Sequence, residues 1–303
     1  MSDDPRRALI LINRSAGTGH AQDDTLDIIS RFASNGYEPV VYPIIPGTGL
    51  TSENIIDRYR DKVDVILCSG GDGTLNHVMS AVMELDTDKK PVLAYIPAGS
   101  TNDFAKGLNI PEGREGALMR AIDGTAFAYD VGQMGERYFN YVAAFGAFSE
   151  ISYATDQDLK NVFGYAAYVI SAIMKLPRNI GYSCHMRIEG DGISEEGEYI
   201  FGAVCNSFSV GGMKLFGNAD VKLDDGRMEL LLIRSPKNIG ELNGILSALA
   251  IGGSDNPNIT FSQVSRVEFR SNEEISWTVD GEFGGRKKDT LIEVHNKAVK
   301  IRI

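Results

Sequence analysis

Over the first 130 residues, short dense apolar runs alternate with longer segments in which apolar positions recur three or four apart. The runs Arg7–Asn13, Glu38–Tyr42, Val63–Cys68 and Val92–Ile96 are β-branched and bounded by turn residues, which predicts buried strands. Between them, Asp23–Ser34, Ser52–Arg60 and Leu75–Met83 carry apolar residues on one helical face, as in Leu26, Ile29 and Phe32. Strand-helix alternation at this spacing predicts a parallel sheet covered on both faces, with any ligand at the carboxyl ends of the strands.

The pattern changes after about Asp130. Tyr138–Ala144, Tyr182–Ile188, Tyr199–Cys205, Met228–Ile233, Val264–Phe269, Ile275–Val279 and Leu291–Val294 read as strands. Only Asp156–Lys175 and Lys237–Ala250 read as helices. Many strands with turn signals between them predict an antiparallel sandwich or barrel. The expected fold class is therefore α/β followed by β. A parallel-sheet domain covers 1–130 and an antiparallel β-sandwich domain covers 131–303. The final strand is a candidate to pack back on the first domain, and a cleft between the two is the default site.

Composition narrows the class. At 303 residues the chain is long enough for two cores, and 43% hydrophobic with 23% charged residues are globular values. A formal charge of −11 gives no general attraction to nucleic acid or anionic lipid, so nucleic acid is excluded as an expected partner. Cys68, Cys184 and Cys205 lie far apart in apolar stretches, which predicts buried thiols and no disulfide framework or zinc ribbon. The apolar run after Arg7 is too short for a signal sequence. The stretch Val162–Leu176, broken by Gly164, Ser171 and Lys175, falls short of a membrane span. A soluble, cytoplasmic protein is expected.

The strongest chemical signal is Cys68-Ser-Gly-Gly-Asp-Gly-Thr-Leu-Asn76, where a strand ends, three glycines follow and a helix begins. Glycine lets main-chain N–H groups approach a phosphate with no Cβ in the way, and a helix N-terminus adds partial positive charge. A tight βα turn alone would need about one glycine. Two more loops leave strand ends in the same way, Asn13-Arg-Ser-Ala-Gly17-Thr-Gly19 and Pro97-Ala-Gly99-Ser-Thr-Asn-Asp103. Each alone could be a helix cap; together with the Thr74, Ser100 and Thr101 hydroxyls they suit a polyphosphate. Neither the Walker loop, nor the full dinucleotide fingerprint, nor the protein kinase motif set is present.

Gly70-Gly-Asp-Gly-Thr74, Gly99-Ser-Thr-Asn-Asp103-Phe, Leu223-Asp-Asp-Gly226 and Trp277-Thr-Val-Asp280-Gly-Glu282, in that order, resemble the bacterial soluble diacylglycerol kinase family of lipid kinases over nearly the whole chain. The resemblance implies ATP-dependent phosphorylation of a lipid hydroxyl, with diacylglycerol the leading acceptor and phosphatidic acid the product. A sphingoid base or a polyprenol is an alternative acceptor, and a catalytically silent nucleotide- or lipid-binding regulator is an alternative role. NAD as acceptor is disfavoured by the last two motifs.

The resemblance also assigns residues. ATP is expected at Asn13, Arg14, Ser15, Ala16 and Gly17, at Gly71, Asp72, Gly73, Thr74, Leu75, Asn76 and His77, and at Ser100. Glu282 is implied as proton acceptor, with Asp280 and Asp72 in the acidic network around metal and phosphate and Asp103 and Asp130 as further members. Read without the resemblance, Asp-Gly-Glu is equally an ordinary hairpin turn. Mg²⁺ is expected on the Asp225 carboxylate and the carbonyls of Lys222 and Arg227, holding the loop rather than doing the chemistry.

Some positions depart from the family pattern. Arg14 and Thr18 stand where a Pro and a Lys are usual, Ile44 stands for a Thr, and His77 replaces a common Glu and reads as a helix-surface residue. A bilayer substrate implies transient contact with the inner face of the membrane. Lys214 with Phe216, the segment Lys175–Arg178, and Arg286–Lys288 are candidates for that contact, against the alternative of solvated charges. The resemblance further implies a homodimer.

Overall fold

The computed structural model describes residues 6–13, 21–45, 48–87, 89–99, 102–111, 113–146, 183–206, 221–250 and 256–303. The expected helix Asp156–Lys175 lies outside them. The chain forms two compact units, Met1–Tyr129 with Lys297–Ile303, and Asp130–Asn296.

The first unit runs β1 (Arg6–Asn13), α1 (Ala21–Ser34), β2 (Tyr37–Ile44), α2 (Ser52–Arg58), β3 (Val65–Gly70), α3 (Asp72–Met83), β4 (Val92–Pro97), α4 (Asp103–Gly107), α5 (Arg114–Asp123) and the start of β5 (Ala126–Met134). The second runs through β6 (Arg137–Phe139), β7 (Val142–Gly146), β8 (Cys184–Gly190), β9 (Ile193–Cys205), β10 (Met228–Arg234), α6 (Ile239–Ala250), β11 (Ile259–Val264), β12 (Arg266–Val279) and most of β13 (Glu282–Arg302).

In the first unit β1 pairs in parallel with β2 and β3, Ile10 lying opposite both Val41 and Leu67. β3 pairs in parallel with β4, and Ile301 near the end of β13 lies opposite Leu93 of β4. The centre of β1 explains the apolar run: Leu9, Ile10 and Leu11 are wholly buried, each side chain contributing about 2 kcal/mol of burial. Helix α3 turns Leu75, Val78, Met79 and Val82 inward and packs on β3. Helix α2 starts where Thr51, in extended conformation, accepts the Asn54 N–H on its Oγ1 at 3.3 Å.

In the second unit every pair among β7 to β12 is antiparallel. The long strands β9 and β12 each pair with β8 along one half and with β7 along the other. That change of partner wraps the strands around one core, in which the rings of Phe145, Phe269 and Trp277 meet at centroid distances of 5.0 to 5.8 Å. Two expected strands differ. The run Tyr138–Ala144 is broken at Asn140 and Tyr141, whose N–H groups turn toward an aspartate described below. The runs at Val264–Phe269 and Ile275–Val279 belong largely to one strand, β12, which carries a bulge between Arg270 and Ile275.

Cys68, Cys184 and Cys205 are buried. Among the described residues no helix is long and apolar enough to cross a membrane.

Candidate functional site

In the first unit the Gly-rich loop after β3 meets the last residue of β1 and the residues that follow β4. β3 ends at Gly70, Gly71 occupies the N-cap position with no side chain to offer, and α3 begins at Asp72. The first-turn N–H groups of a helix have no intrahelical acceptor, so this N-terminus presents donors and partial positive charge. The loops are held by close main-chain contact. A Cβ on Gly99 would lie 2.8 Å from the Gly71 Cα, and one on Gly70 would lie 2.7 Å from the Thr74 Cβ. The Ala98 N–H donates to the Gly70 carbonyl at 2.8 Å, and the Asn13 Nδ2 donates to the Thr74 Oγ1 at 2.8 Å.

Asn102 closes the third loop. In left-handed conformation (φ 49°), it accepts the Gly99 N–H on Oδ1 at 2.9 Å and donates from Nδ2 to the Gly99 carbonyl at 2.8 Å. Beneath the loops lie Cys68 and Tyr95, cross-strand neighbours on β3 and β4. Burial, and then the Asp72 charge, push both the Cys68 thiol and the Tyr95 phenol upward, so both stay protonated at neutral pH.

The first unit therefore brings together Asn13, Gly71, Asp72, Gly73, Thr74 and Asn76. Leu75 is wholly buried, which leaves only its main chain for a ligand. His77 is exposed, with Nδ1 3.3 Å from the Glu53 carboxylate of α2. Arg14, Ser15, Ala16, Gly17, Thr18, Ser100, Thr101 and the Asp103 side chain lie outside what is described.

The second unit holds the acidic turn. Asp280 and Gly281 have φ of 46° and 83° and link Val279 to its partner Glu282, the geometry of a two-residue hairpin turn. The Asp280 side chain points inward. Its Oδ2 accepts the Asn140 N–H at 2.7 Å and Asn140 Nδ2 at 3.4 Å, and its Oδ1 accepts the N–H groups of Tyr141 and Val142 at 3.1 and 3.0 Å. Glu282 by contrast is exposed. The Phe283 carbonyl beside it accepts Arg137 Nη1 at 2.6 Å.

The Asp-Asp-Gly loop is fixed by Asp130, which is wholly buried and accepts the Gly226 N–H on Oδ2 at 2.6 Å. Gly226 sits at φ 79°, a region that L side chains rarely adopt, and a Cβ there would lie 2.4 Å from Asn296 Nδ2. Asp225 is exposed and accepts the Arg227 N–H on Oδ1 at 3.0 Å; Lys222 and Arg227 are exposed beside it. One exposed carboxylate with neighbouring carbonyls is an all-oxygen donor set on a tied-down loop, which fits a hard cation completed by water. Among the described residues no three His, Cys, Asp or Glu side chains form a metal-binding group. Glu229, just beyond the loop, is pushed up by burial to about 7 and accepts Gln263 Nε2 at 3.2 Å.

Comparison with known proteins decides the family. Residues 7–134 match the model of the diacylglycerol kinase catalytic domain, and residues 143–302 match that of the YegS C-terminal NAD kinase beta sandwich-like domain. The diacylglycerol kinases of Staphylococcus aureus strains MRSA252 and RF122 / ET3-1 are each 32% identical over 286 residues, covering 93% of this chain and 87% of theirs. The chain belongs to the diacylglycerol kinase family. Membership makes it a kinase with an alcohol group as acceptor. The crystal structure of a diacylglycerol kinase from Bacillus anthracis str. Sterne superposes with a TM-score of 0.76 at 20% identity, over 99% of this chain and 98% of that one, a likeness of fold.

Sequence reasoning did not single out Tyr95, Asn102 or Asn140 as parts of these sites. A tyrosine inside an apolar strand reads as core, and the left-handed conformation of Asn102 leaves no periodic signal.

Proposed function

We propose that this diacylglycerol kinase family member is an ATP-dependent lipid kinase that phosphorylates diacylglycerol to phosphatidic acid. The parallel-sheet unit is the nucleotide-binding domain, and the antiparallel unit is the β-sandwich domain for the lipid. The observation that carries the reading is the meeting of Gly71 and Gly99 main chains beside the N-terminus of α3, where a polyphosphate finds N–H donors without side-chain obstruction.

In this reading the amides at Gly71, Asp72, Gly73 and Thr74 hold the phosphates of ATP, with Asn13 setting the Thr74 hydroxyl. The Glu282 carboxylate accepts the proton of the lipid hydroxyl as its oxygen bonds to the γ-phosphorus and ADP departs. Asp280 keeps the hairpin in register so that Glu282 stands at its exposed tip. When bound, Mg²⁺ neutralises phosphate charge, and a second role for it is to tie down the loop at Lys222, Asp225 and Arg227.

Phe283, 43% exposed, follows Glu282, and Arg286 and Lys288 are exposed on the same strand. These residues support transient contact with an anionic membrane surface, the cytoplasmic face for a cytoplasmic protein. Lys214, Phe216 and Lys175–Arg178 lie outside the described residues.

Transfer of labelled γ-phosphate to a panel of lipids in mixed micelles tests the proposal, with Glu282→Gln as control. Labelled phosphatidic acid made by the parent and lost in the variant is the expected result. Label on a sphingoid base or polyprenol instead would reassign the acceptor, and a fully active Glu282→Gln would remove that residue from the proton transfer.

A further inference from the structure

We infer that Asn102 is a positioning residue of the phosphate site: its amide clamps the Gly99 peptide and so holds the loop after β4 as a buttress for the N-terminus of α3. The inference rests on the reading of that N-terminus as the place where the phosphates of ATP bind.

The clamp has two prongs. Oδ1 accepts the Gly99 N–H at 2.9 Å and Nδ2 donates to the Gly99 carbonyl at 2.8 Å, so one side chain satisfies both polar groups of one residue. The Tyr95 hydroxyl also approaches Oδ1, at 3.5 Å, a long contact that agrees with the same orientation of the amide. The backbone makes the reach possible. Asn102 sits at φ 49° and ψ 44°, a left-handed conformation that asparagine adopts far more readily than most side chains. Position 99 must in turn lack a Cβ, which would lie 2.9 Å from Asn102 Oδ1 and 2.8 Å from the Gly71 Cα. Gly99 is therefore gripped by Asn102 and pressed against Gly71, the N-cap residue of α3.

A division of labour follows. The Gly99 N–H is committed to Asn102, so Gly99 serves the phosphates through its hold on Gly71 and not as a donor. The donors at residues 71–74 are set before a ligand arrives, and binding is spared the entropy cost of ordering them.

Asn102→Gly removes the clamp and leaves the left-handed conformation open, whereas Asn102→Ala removes the clamp and disfavours that conformation. ATP binding in the presence of Mg²⁺ is measured by calorimetry. Asn102→Gly should lose about tenfold in affinity, the size of one or two net hydrogen bonds. Asn102→Asp keeps an acceptor for the Gly99 N–H but sets an oxygen against its carbonyl, and should lose as much. In a Gly99→Ala background, where the added Cβ already parts the loops, Asn102→Gly should cost less than about twofold. Amide exchange in Asn102→Gly should quicken at residues 71–74 and stay unchanged at residues 9–11 in the core of β1. Equal losses in both backgrounds, or exchange quickened throughout the first unit, would reduce Asn102 to a general structural residue and overturn the inference. A loss confined to Asn102→Ala would also overturn it, since backbone conformation alone would then account for the residue. If the parent itself binds no ATP, the kinase reading fails on its own. Exchange at residues 71–74 then decides for Asn102: quickened exchange in Asn102→Gly supports the buttress, and unchanged exchange refutes it.

Discussion

Replacing Asp280 should unlock the hairpin that carries Glu282. The carboxylate accepts three main-chain N–H groups at 2.7, 3.0 and 3.1 Å from a residue only 5% exposed. Hydrogen bonds to a charged group contribute about 1.5–3 kcal/mol each, and a buried donor left without an acceptor costs about 1–3 kcal/mol. Asp280→Ala strands three donors and places a β-carbon residue with no polar group at φ 46°, where aspartate is tolerated and alanine costs about 1 kcal/mol more. Allowing for relaxation and entry of water, the loss should be about 4 kcal/mol, a large fraction of the roughly 5–15 kcal/mol that stabilises a domain. Asp280→Asn keeps the shape, the turn conformation and one oxygen, and should lose about 2 kcal/mol. Trp277, the only tryptophan in the chain, is buried three positions before the turn and reports directly on this core. Urea unfolding followed by its fluorescence gives both numbers. An Asp280→Asn midpoint matching the parent's would refute the role of this carboxylate as the internal acceptor for residues 140–142.

Three further outcomes follow from the geometry. Gly99→Ala puts a Cβ 2.8 Å from the Gly71 Cα, so the loops must part; calorimetry should find ATP binding weakened and thermal unfolding should register a loss of about 1–3 kcal/mol. Asp191 is held below the usual carboxylate range by the main-chain and hydroxyl donors of Ser265, so it adds stability above the unfolded-state value of about 3.9 that disappears as the pH falls through its folded value. Urea midpoints of the parent and Asp191→Asn should accordingly differ at pH 7 and converge toward pH 3, and a gap that widens in acid would contradict the assignment. Arg302 donates through Nη1 to the carbonyls of Ala121 and Ile122 at the end of α5 and through Nη2 to the Tyr37 hydroxyl. Arg302→Ala should lose about 2 kcal/mol in thermal unfolding, as the helix-end carbonyls lose their donor.

Legibility from sequence followed the range of the forces involved. The apolar runs of β1 and β4 are dictated by burial of each strand by its neighbours, and periodicity alone located them. The expected strand Val63–Cys68 proved to be Val65–Gly70, so the strand reaches the first glycine of the loop and delivers Gly71 to the head of the helix. Helices Asp103–Gly107 and Arg114–Asp123 were not foreseen, the first being little more than one turn and the second having a narrow apolar stripe. The break between Phe139 and Val142 could not be read from the residues that form it. It exists because a side chain some 140 positions away claims their N–H groups. The glycine motifs were legible because they record main-chain approach, a requirement no other residue type meets.

The most direct measurement is a phosphate balance. The parent is incubated with ATP, Mg²⁺ and diacylglycerol in mixed micelles, and ADP and phosphatidic acid are both quantified over time. The account predicts that they accumulate one for one, and only when the lipid is present. ADP released without phosphorylated lipid, or no turnover with diacylglycerol at all, would contradict it.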